Sequence, residues 1–436
     1  EVAIASPRDA HALGLGMVYQ HFTLVPSLTA AENLVISRAD VPAIVNWADE
    51  HAALEAFLET TPFRVPLDVP VSGLSAGEKQ KLEILKQLYL NQRLLILDEP
   101  TSVLTPDEAD EILGLLRGLT DAGELTILMI THKFREVTGF ADDVTVLRQG
   151  KMVGSRAVEG LSVAEMSRMM IGDTELREPA ARAKTGDAPV VLELDGLRAD
   201  DDEGLPALRD VGIEVRAGEI VGIAGVSGNG QSELVEVLSG QRDLEAGAIR
   251  VHGQAYAPTR QKMDAFKVFG LSEEPLRNVA VPRMTVAENL AFRSFDKNPI
   301  ATSRGWLRPG NMRSQARRLI ADYRVKTPST EEQMENLSGG NVQRAVLARE
   351  LSGDVDILIV ANPCFGLDFA SVAEIRAQIM DQRNRGSAVL LVSEDLDEIL
   401  ELSDTVLVML EGEIVFRAPI AEASRQSIGH AMAGGA

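Results

Sequence analysis

The sequence predicts an α/β chain made of one domain repeated in tandem, and three observations predict it. The stretch LSAGEKQKLEILKQLYLNQRLLILDEPTSVL, from Leu74 to Leu104, sets a helix start against a short apolar strand that ends in two carboxylates. LSGGNVQRAVLAREL from Leu337 parallels its first part, and ILIVANP from Ile357 parallels LLILDEP from Leu94 at the same offset. TVAENL from Thr285 likewise parallels TAAENL from Thr29. Self-similarity over such a period marks two copies of one folding unit.

Each element has a local cause. Residues Glu1 to Gln20 run through the apolar GLGMVYQHF stretch and reach the polar Gln20. Trp47 to Thr60 reads as an amphipathic helix. Ser75 followed three residues later by Glu78 has capping-box form, and Leu82, Leu85 and Leu88 then share a face, so a helix starts at Ser75. Its N-terminus offers free N–H groups and a positive dipole end to an anion. Leu94 to Leu97 is strand-like and stops at Asp98 and Glu99. Two carboxylates at the mouth of a buried strand suit a magnesium–phosphate site, one near the metal and one polarising water. TPDEADEILGLLRGL then reads as an acid-capped helix, TILMITH as a strand ending at His132, and VTVLRQGKMV as a hairpin turning at Gly150.

Gly172 to Pro189 is polar and Ala-rich without apolar period, which marks a linker over 173–189 between domains at 1–172 and 190–436. In the second domain the strand EIVGIAG leads into Gly225-Val-Ser227-Gly228-Asn229-Gly230-Gln231-Ser232-Glu233 and then a helix. Glycines in such a loop let backbone N–H groups wrap phosphates, and Ser232 suits magnesium.

Composition sets the outer bounds. With 45% hydrophobic residues both halves can bury a core, and a formal net charge of −22 argues against nucleic acid as a partner, since phosphate binding needs clustered Lys and Arg. No apolar run approaches the roughly 20 residues of a membrane span. The single cysteine, Cys364, excludes an internal disulfide and fits a reducing compartment.

A capped helix and an Asp-Glu strand end about twenty residues apart, occurring twice, resemble the signature motif and Walker B strand of ABC-type ATPases, which are P-loop NTPases with a helical subdomain in each nucleotide-binding domain. Carried over position by position, the resemblance makes Gln20 the Q-loop glutamine at the metal and attacking water, Asp98 a metal residue, Glu99 the residue that polarises water, and His132 the switch histidine at the γ-phosphate. In that family each nucleotide lies between the phosphate loop of one domain and the signature of the other. Ser338, Gly339, Gly340 and Asn341 would then serve the first site, and Ser75, Gly77 and Glu78 the second, with ATP and Mg2+ as cofactors.

The second half departs from the pattern at every chemical position. Gln231 stands in place of the loop lysine, Ala361 and Asn362 replace the Asp-Glu pair, Glu394 occupies the switch position, and either Glu273 or Glu274 takes the Q-loop place. A lysine about 4 Å from a phosphate charge contributes roughly 4 kcal/mol at an effective dielectric near 20, and Gln231 forfeits it. Glu78 adds repulsion unless it points back to the Ser75 amide as a capping residue. Asp368 keeps the loop that meets the other domain in this family. In the first half the phosphate loop would fall ahead of Glu1, so the sequence is expected either to be truncated there or to be defective at that site.

Fused cassettes with a Gln-bearing second loop, an LSAGE-like first signature and SEDLDE in place of the switch are similar to the ATPases of bacterial sugar and nucleoside importers. The resemblance implies ATP hydrolysis on the cytoplasmic face of the plasma membrane, with two membrane permease subunits and a periplasmic or lipid-anchored solute-binding protein as partners. A non-catalytic regulatory scaffold is the alternative. A tandem-cassette translation factor is disfavoured by the short linker and the acidic charge.

Overall fold

The structure is a computed structural model that describes residues 2–19, 22–38, 40–61, 64–101, 104, 106–131, 133–148, 150–171, 179–183, 188–226, 228–271, 273, 275–365, 367 and 369–434. It divides into two compact units, Glu1–Asp173 and Thr174–Ala436.

In the first unit β1 (Leu15–Val18), β2 (Leu94–Asp98) and β3 (Thr126–Ile130) form a parallel sheet in that order. A separate antiparallel hairpin joins β4 (Asp143–Arg148) to β5 (Lys151–Ala157), with Gly150 at φ 74° in its turn, a left-handed value that glycine adopts without strain. The core gathers Leu82 and Leu85 of the helix Ala76–Tyr89, Leu95 and Leu97 of β2, and Ile112 and Leu116 of the helix Pro106–Asp121. Leu54 and Leu58 of the helix Trp47–Glu59 join them, which is the apolar face expected of that segment.

In the second unit β6 (Val190–Asp200), β7 (Pro206–Arg216), β9 (Ala246–Val251) and β10 (Gln254–Ala255) make an antiparallel sheet. The six-stranded sheet adds β8 (Ile220–Ala224), β11 (Val268–Leu271), β12 (Ile357–Ala361), β13 (Ala388–Ser393), β14 (Thr405–Leu410) and β15 (Glu413–Pro419), in the order β11-β12-β13-β8-β14-β15. Its first three strands repeat β1-β2-β3 with the same register, Leu15 against Leu94 and Val268 against Ile357. β13, flanked by β12 and β8, is buried throughout. β3 has a partner only in β2 among the described residues, and Leu128 and Ile130 stay 57% and 49% exposed.

The repeat extends to side-chain hydrogen bonds. Thr29 and Thr285 both open a helix with a complete capping box, closed by Glu32 and Glu288. The buried Asn33 and Asn289 then bind the backbone of Val25 and Val281 through both amide atoms, at 2.8 and 3.1 Å and at 2.8 and 3.0 Å. The Asn of each AENL therefore pins the segment that follows β1 or β11, a satisfied polar contact in place of an apolar one.

Within the stretch read as a linker, residues 181–183 are fastened to the second unit. Arg383 donates to the Ala183 carbonyl at 2.6 Å, Asn384 to the Ala181 carbonyl at 3.1 Å, and the Ala183 amide donates to Asn384 Oδ1 at 2.9 Å.

Candidate functional site

β2 lies between β1 and β3, so the chain leaving its carboxyl end is flanked by the chain leaving theirs, the crevice where parallel α/β sheets bind ligands. Asp98 is the last residue of β2, aligned with Ile130. Glu99 follows at φ 47°, its amide donating to the Ile130 carbonyl at 2.9 Å. A glutamate in the left-handed region carries about 1–2 kcal/mol of backbone strain, a cost that concentrates at functional positions. β1 leads to Gln20 and β3 to His132. Those two residues lie outside the described residues, as do Ser227, Glu274 and Asp368.

The second unit builds the same turn from different chemistry. Asn362 has φ 40° and its amide donates to the Val392 carbonyl at 2.8 Å. Its side chain donates to Glu273 Oε2 at 3.0 Å and accepts from the Glu394 amide at 2.9 Å. Glu273, one of the two glutamates expected at the Q-loop place, is thus held against Asn362, two residues beyond β11 as Gln20 is two beyond β1. Where the first unit ends its strand in two carboxylates, the second ends in Ala361 and an amide fixed by its neighbours.

The second-unit loop after β8 is self-satisfied in part. Gln231 is only 8% exposed; its Oε1 accepts from the Asn229 amide at 3.2 Å and its Nε2 donates to the Val226 carbonyl at 3.2 Å. Asn229 in turn binds the β14–β15 turn, accepting from the Glu411 amide at 2.9 Å through Oδ1. Gly225 is required here, because a Cβ would stand 2.8 Å from the Met409 carbonyl oxygen as well as against Gln231 Nε2. Gly228 and Gly230 sit at φ 88° and 101°. Ser232 and Glu233 open the helix Gln231–Ser239, and a cavity of about 710 Å³ brings together Gly225, Gln231, Ser232, Glu273, Asn362 and Glu394.

The two signature helices differ at their first turn. Ser75 and Glu78 form the expected box: the Glu78 amide donates to Ser75 Oγ at 3.2 Å and the Ser75 amide to Glu78 Oε2 at 2.9 Å. The Glu78 carboxylate therefore points back into its own helix, which removes the repulsion that an outward orientation would give. A Cβ at Gly77 would come 2.6 Å from Glu108 Oε1, so a larger residue there would push the Glu108 carboxylate aside. The helix Gly339–Leu351 has no side-chain cap hydrogen bond from Ser338, whose Oγ accepts from Asn341 Nδ2 at 2.8 Å instead. The Asn341 amide turns back onto the Ser338 carbonyl at 2.8 Å, which leaves the amides of Gly339 and Gly340 at the helix start as the donors an anion site requires.

Sequence reasoning missed an ion network on the wall of the cavity. Glu350, 1% exposed, pairs with Arg293 at 2.6 Å and Arg349 at 2.6 Å, and Arg349 also donates to the Val279 carbonyl at 2.8 Å. Lys86 and Gln87 hold the corresponding places in the first half. The signal available was the charged Arg-Glu pair inside an otherwise apolar helix face.

No cluster of three metal-ligating side chains occurs among the described residues. Asp98 with Glu99 nevertheless fits magnesium, which takes one or two protein carboxylates and completes its octahedron with water and substrate phosphates.

Residues 4–102 and 208–364 match the family model described as ABC transporter. A glucose import ATP-binding protein of Haloferax volcanii is 39% identical over 99% of this chain and 84% of its own length. A nucleoside import ATP-binding protein of Lactococcus lactis is 36% identical over 99% of this chain and 85% of its own, and a ribose import ATP-binding protein of Rubrobacter xylanophilus 35% identical over 98% and 84%.

Proposed function

The chain belongs to the ABC transporter family, and from that premise we propose that it is the ATP-binding and ATP-hydrolysing subunit of an importer for simple sugars or nucleosides. It works with membrane permease subunits; two permeases, fed by a periplasmic or lipid-anchored binding protein, form the assembly we propose. No described helix is long and apolar enough to cross a membrane, so docking on the cytoplasmic face of the permease is the placement that this reading favours.

One observation carries the division of labour. The equivalent strand ends present Asp98 and Glu99 in the first unit, and Ala361 and Asn362 in the second. In our reading Asp98 holds Mg2+, which neutralises phosphate charge when bound, while Glu99 orients and polarises water with Gln20 and His132. The second unit has no carboxylate at either position to do this. Its loop glycines still direct amides toward a phosphate, but nucleotide would have to displace the Gln231 amide, so binding there is weak and cleavage absent.

Replacing Glu99 tests the reading. In the full chain assembled with its permease, Glu99→Gln keeps ATP bound and lowers turnover by at least about a hundredfold, the scale of a lost catalytic base. Turnover near that of the unsubstituted protein would remove Glu99 from this role.

A further inference from the structure

We propose that Glu136 is a positioning residue for ATP hydrolysis, a buried carboxylate that ties the turn after Glu99 to the strand end before residue 132 and fixes their separation. The inference rests on Glu99 being the residue that activates water.

Glu136 lies on the helix Phe134–Phe140 and is 5% exposed. Its Oε2 accepts from the Thr131 hydroxyl at 2.7 Å, and its Oε1 accepts from the Thr101 hydroxyl. Thr101 stands two residues after Glu99, and Thr131 is the last residue before His132. Lys133 completes the tie, 3.7 Å from Glu136 Oε1 and donating to the Thr101 carbonyl at 3.0 Å. The Thr131 hydroxyl also accepts from the Lys133 amide at 3.0 Å, which fixes the chain on both sides of position 132. A carboxylate taken out of water is costly unless paired and hydrogen-bonded, and an apolar residue would serve a short helix more cheaply. The carboxylate is kept where two strand ends must hold a set spacing.

The second unit repeats the arrangement. Glu398 on the helix Leu396–Leu402 is 1% exposed and accepts from the Ser393 hydroxyl at 2.7 Å. Ser393 precedes Glu394 as Thr131 precedes His132, and Cys364, at the place of Thr101, is near enough that, after burial, the Glu398 carboxylate also pushes its thiol up. The cation comes from a different helix, with Arg376 3.6 Å from Glu398. A buried carboxylate at the same place, bound to the strand end, thus stands beside a turn that carries Asn362 in place of a catalytic carboxylate, and it provides an internal control. Losing Glu398 removes the fold contribution of the tie, whereas losing Glu136 removes that and the alignment of a working site.

Glu136→Gln and Glu398→Gln are made separately in the full chain assembled with its permease, and kcat, KM for ATP and Tm are measured for each. A displacement of about 1 Å costs a reaction up to a hundredfold, so Glu136→Gln should lower kcat at least about tenfold with KM within about twofold. Glu398→Gln should lower Tm comparably and leave kcat within about twofold. Thr131→Val should lower kcat as well, and Thr131→Ser, which keeps the hydroxyl, should restore it; this pair decides the matter if Glu136→Gln does not fold. An unchanged kcat in Glu136→Gln, or equal losses in the two glutamine variants, overturns the proposal, as does an unchanged kcat in Thr131→Val. Glu99→Gln run alongside separates the two levels. If it abolishes turnover while Glu136→Gln does not reduce it, only the tie fails; if it does not abolish turnover, the assignment of Glu99 fails first.

Discussion

Asn362→Glu returns a carboxylate to the strand end of the second unit, and the structure argues that it does not return activity. The Asn362 amide donates to Glu273 Oε2 at 3.0 Å, so an introduced carboxylate meets another carboxylate where a donor stood. Two like charges 4 Å apart repel by about 4 kcal/mol at an effective dielectric near 20, and by about 1 kcal/mol where water reaches them. Loss of the donated hydrogen bond adds about 1 kcal/mol. Since Glu273 is half-buried, a destabilisation of about 2–4 kcal/mol follows, or roughly 5–10 °C in the Tm of a unit of this size. The introduced carboxyl is relieved of repulsion when it binds a proton, so the loss is largest at pH 8 and shrinks toward pH 5. Scanning calorimetry at the two pH values reads this. In a Glu99→Gln background, Asn362→Glu leaves ATP turnover at the level of Glu99→Gln alone, because Gln231 still fills the phosphate loop and Glu394 still stands at the switch position. Recovery of turnover, or a Tm that does not fall at pH 8, would refute the reasoning.

The strained turn at Glu99 predicts a trade between stability and activity. Glu99→Asn, which places the residue of the second unit at φ 47°, should stabilise the first unit by about 0.5–1 kcal/mol in urea denaturation while removing turnover; an unchanged midpoint speaks against strain. Cys364 is buried and its thiol is pushed well above the ordinary range, first by desolvation and then by the Glu398 carboxylate. At pH 8 iodoacetamide should therefore label the folded chain at least about a hundredfold more slowly than the chain in denaturant, and comparable rates contradict its burial. Gly222→Ala should cost about 1–3 kcal/mol by overpacking, since the new Cβ falls 2.0 Å from Ser403 Oγ and 3.0 Å from Ser403 Cβ. Ser403→Ala alone should be near neutral, because that buried hydroxyl has no hydrogen-bond partner among the described residues, and Ser403→Gly should rescue Gly222→Ala; additive losses in the double variant would exclude the clash.

The sequence reading succeeds where cause and effect lie within a few residues. The box at Ser75 and Glu78 is a local circuit, legible because a helix brings residue i and i+3 together whatever surrounds them. The strand Leu94–Asp98 was legible for the same reason, as an apolar run cut off by charge. Contacts between distant segments were not. Spacing alone did not show that Glu273 meets Asn362, a contact that depends on the alignment of β11 with β12. The turning of Gln231 into its own loop depends on Val226 and Asn229 holding a shape that no composition rule supplies. The ties at Glu136 and Glu398 escaped for a further reason: an acidic residue in the first turn of a helix is ordinarily a solvated dipole partner, and nothing in FREV or LDEI marks this one as buried. The repeat does supply that mark once both halves are superposed by offset, because Thr101 with Cys364, Thr131 with Ser393, and Glu136 with Glu398 fall at matching places while Glu99 and His132 have changed to Asn362 and Glu394. A duplicated domain that has shed chemistry in one copy separates residues kept for geometry from residues kept for reaction.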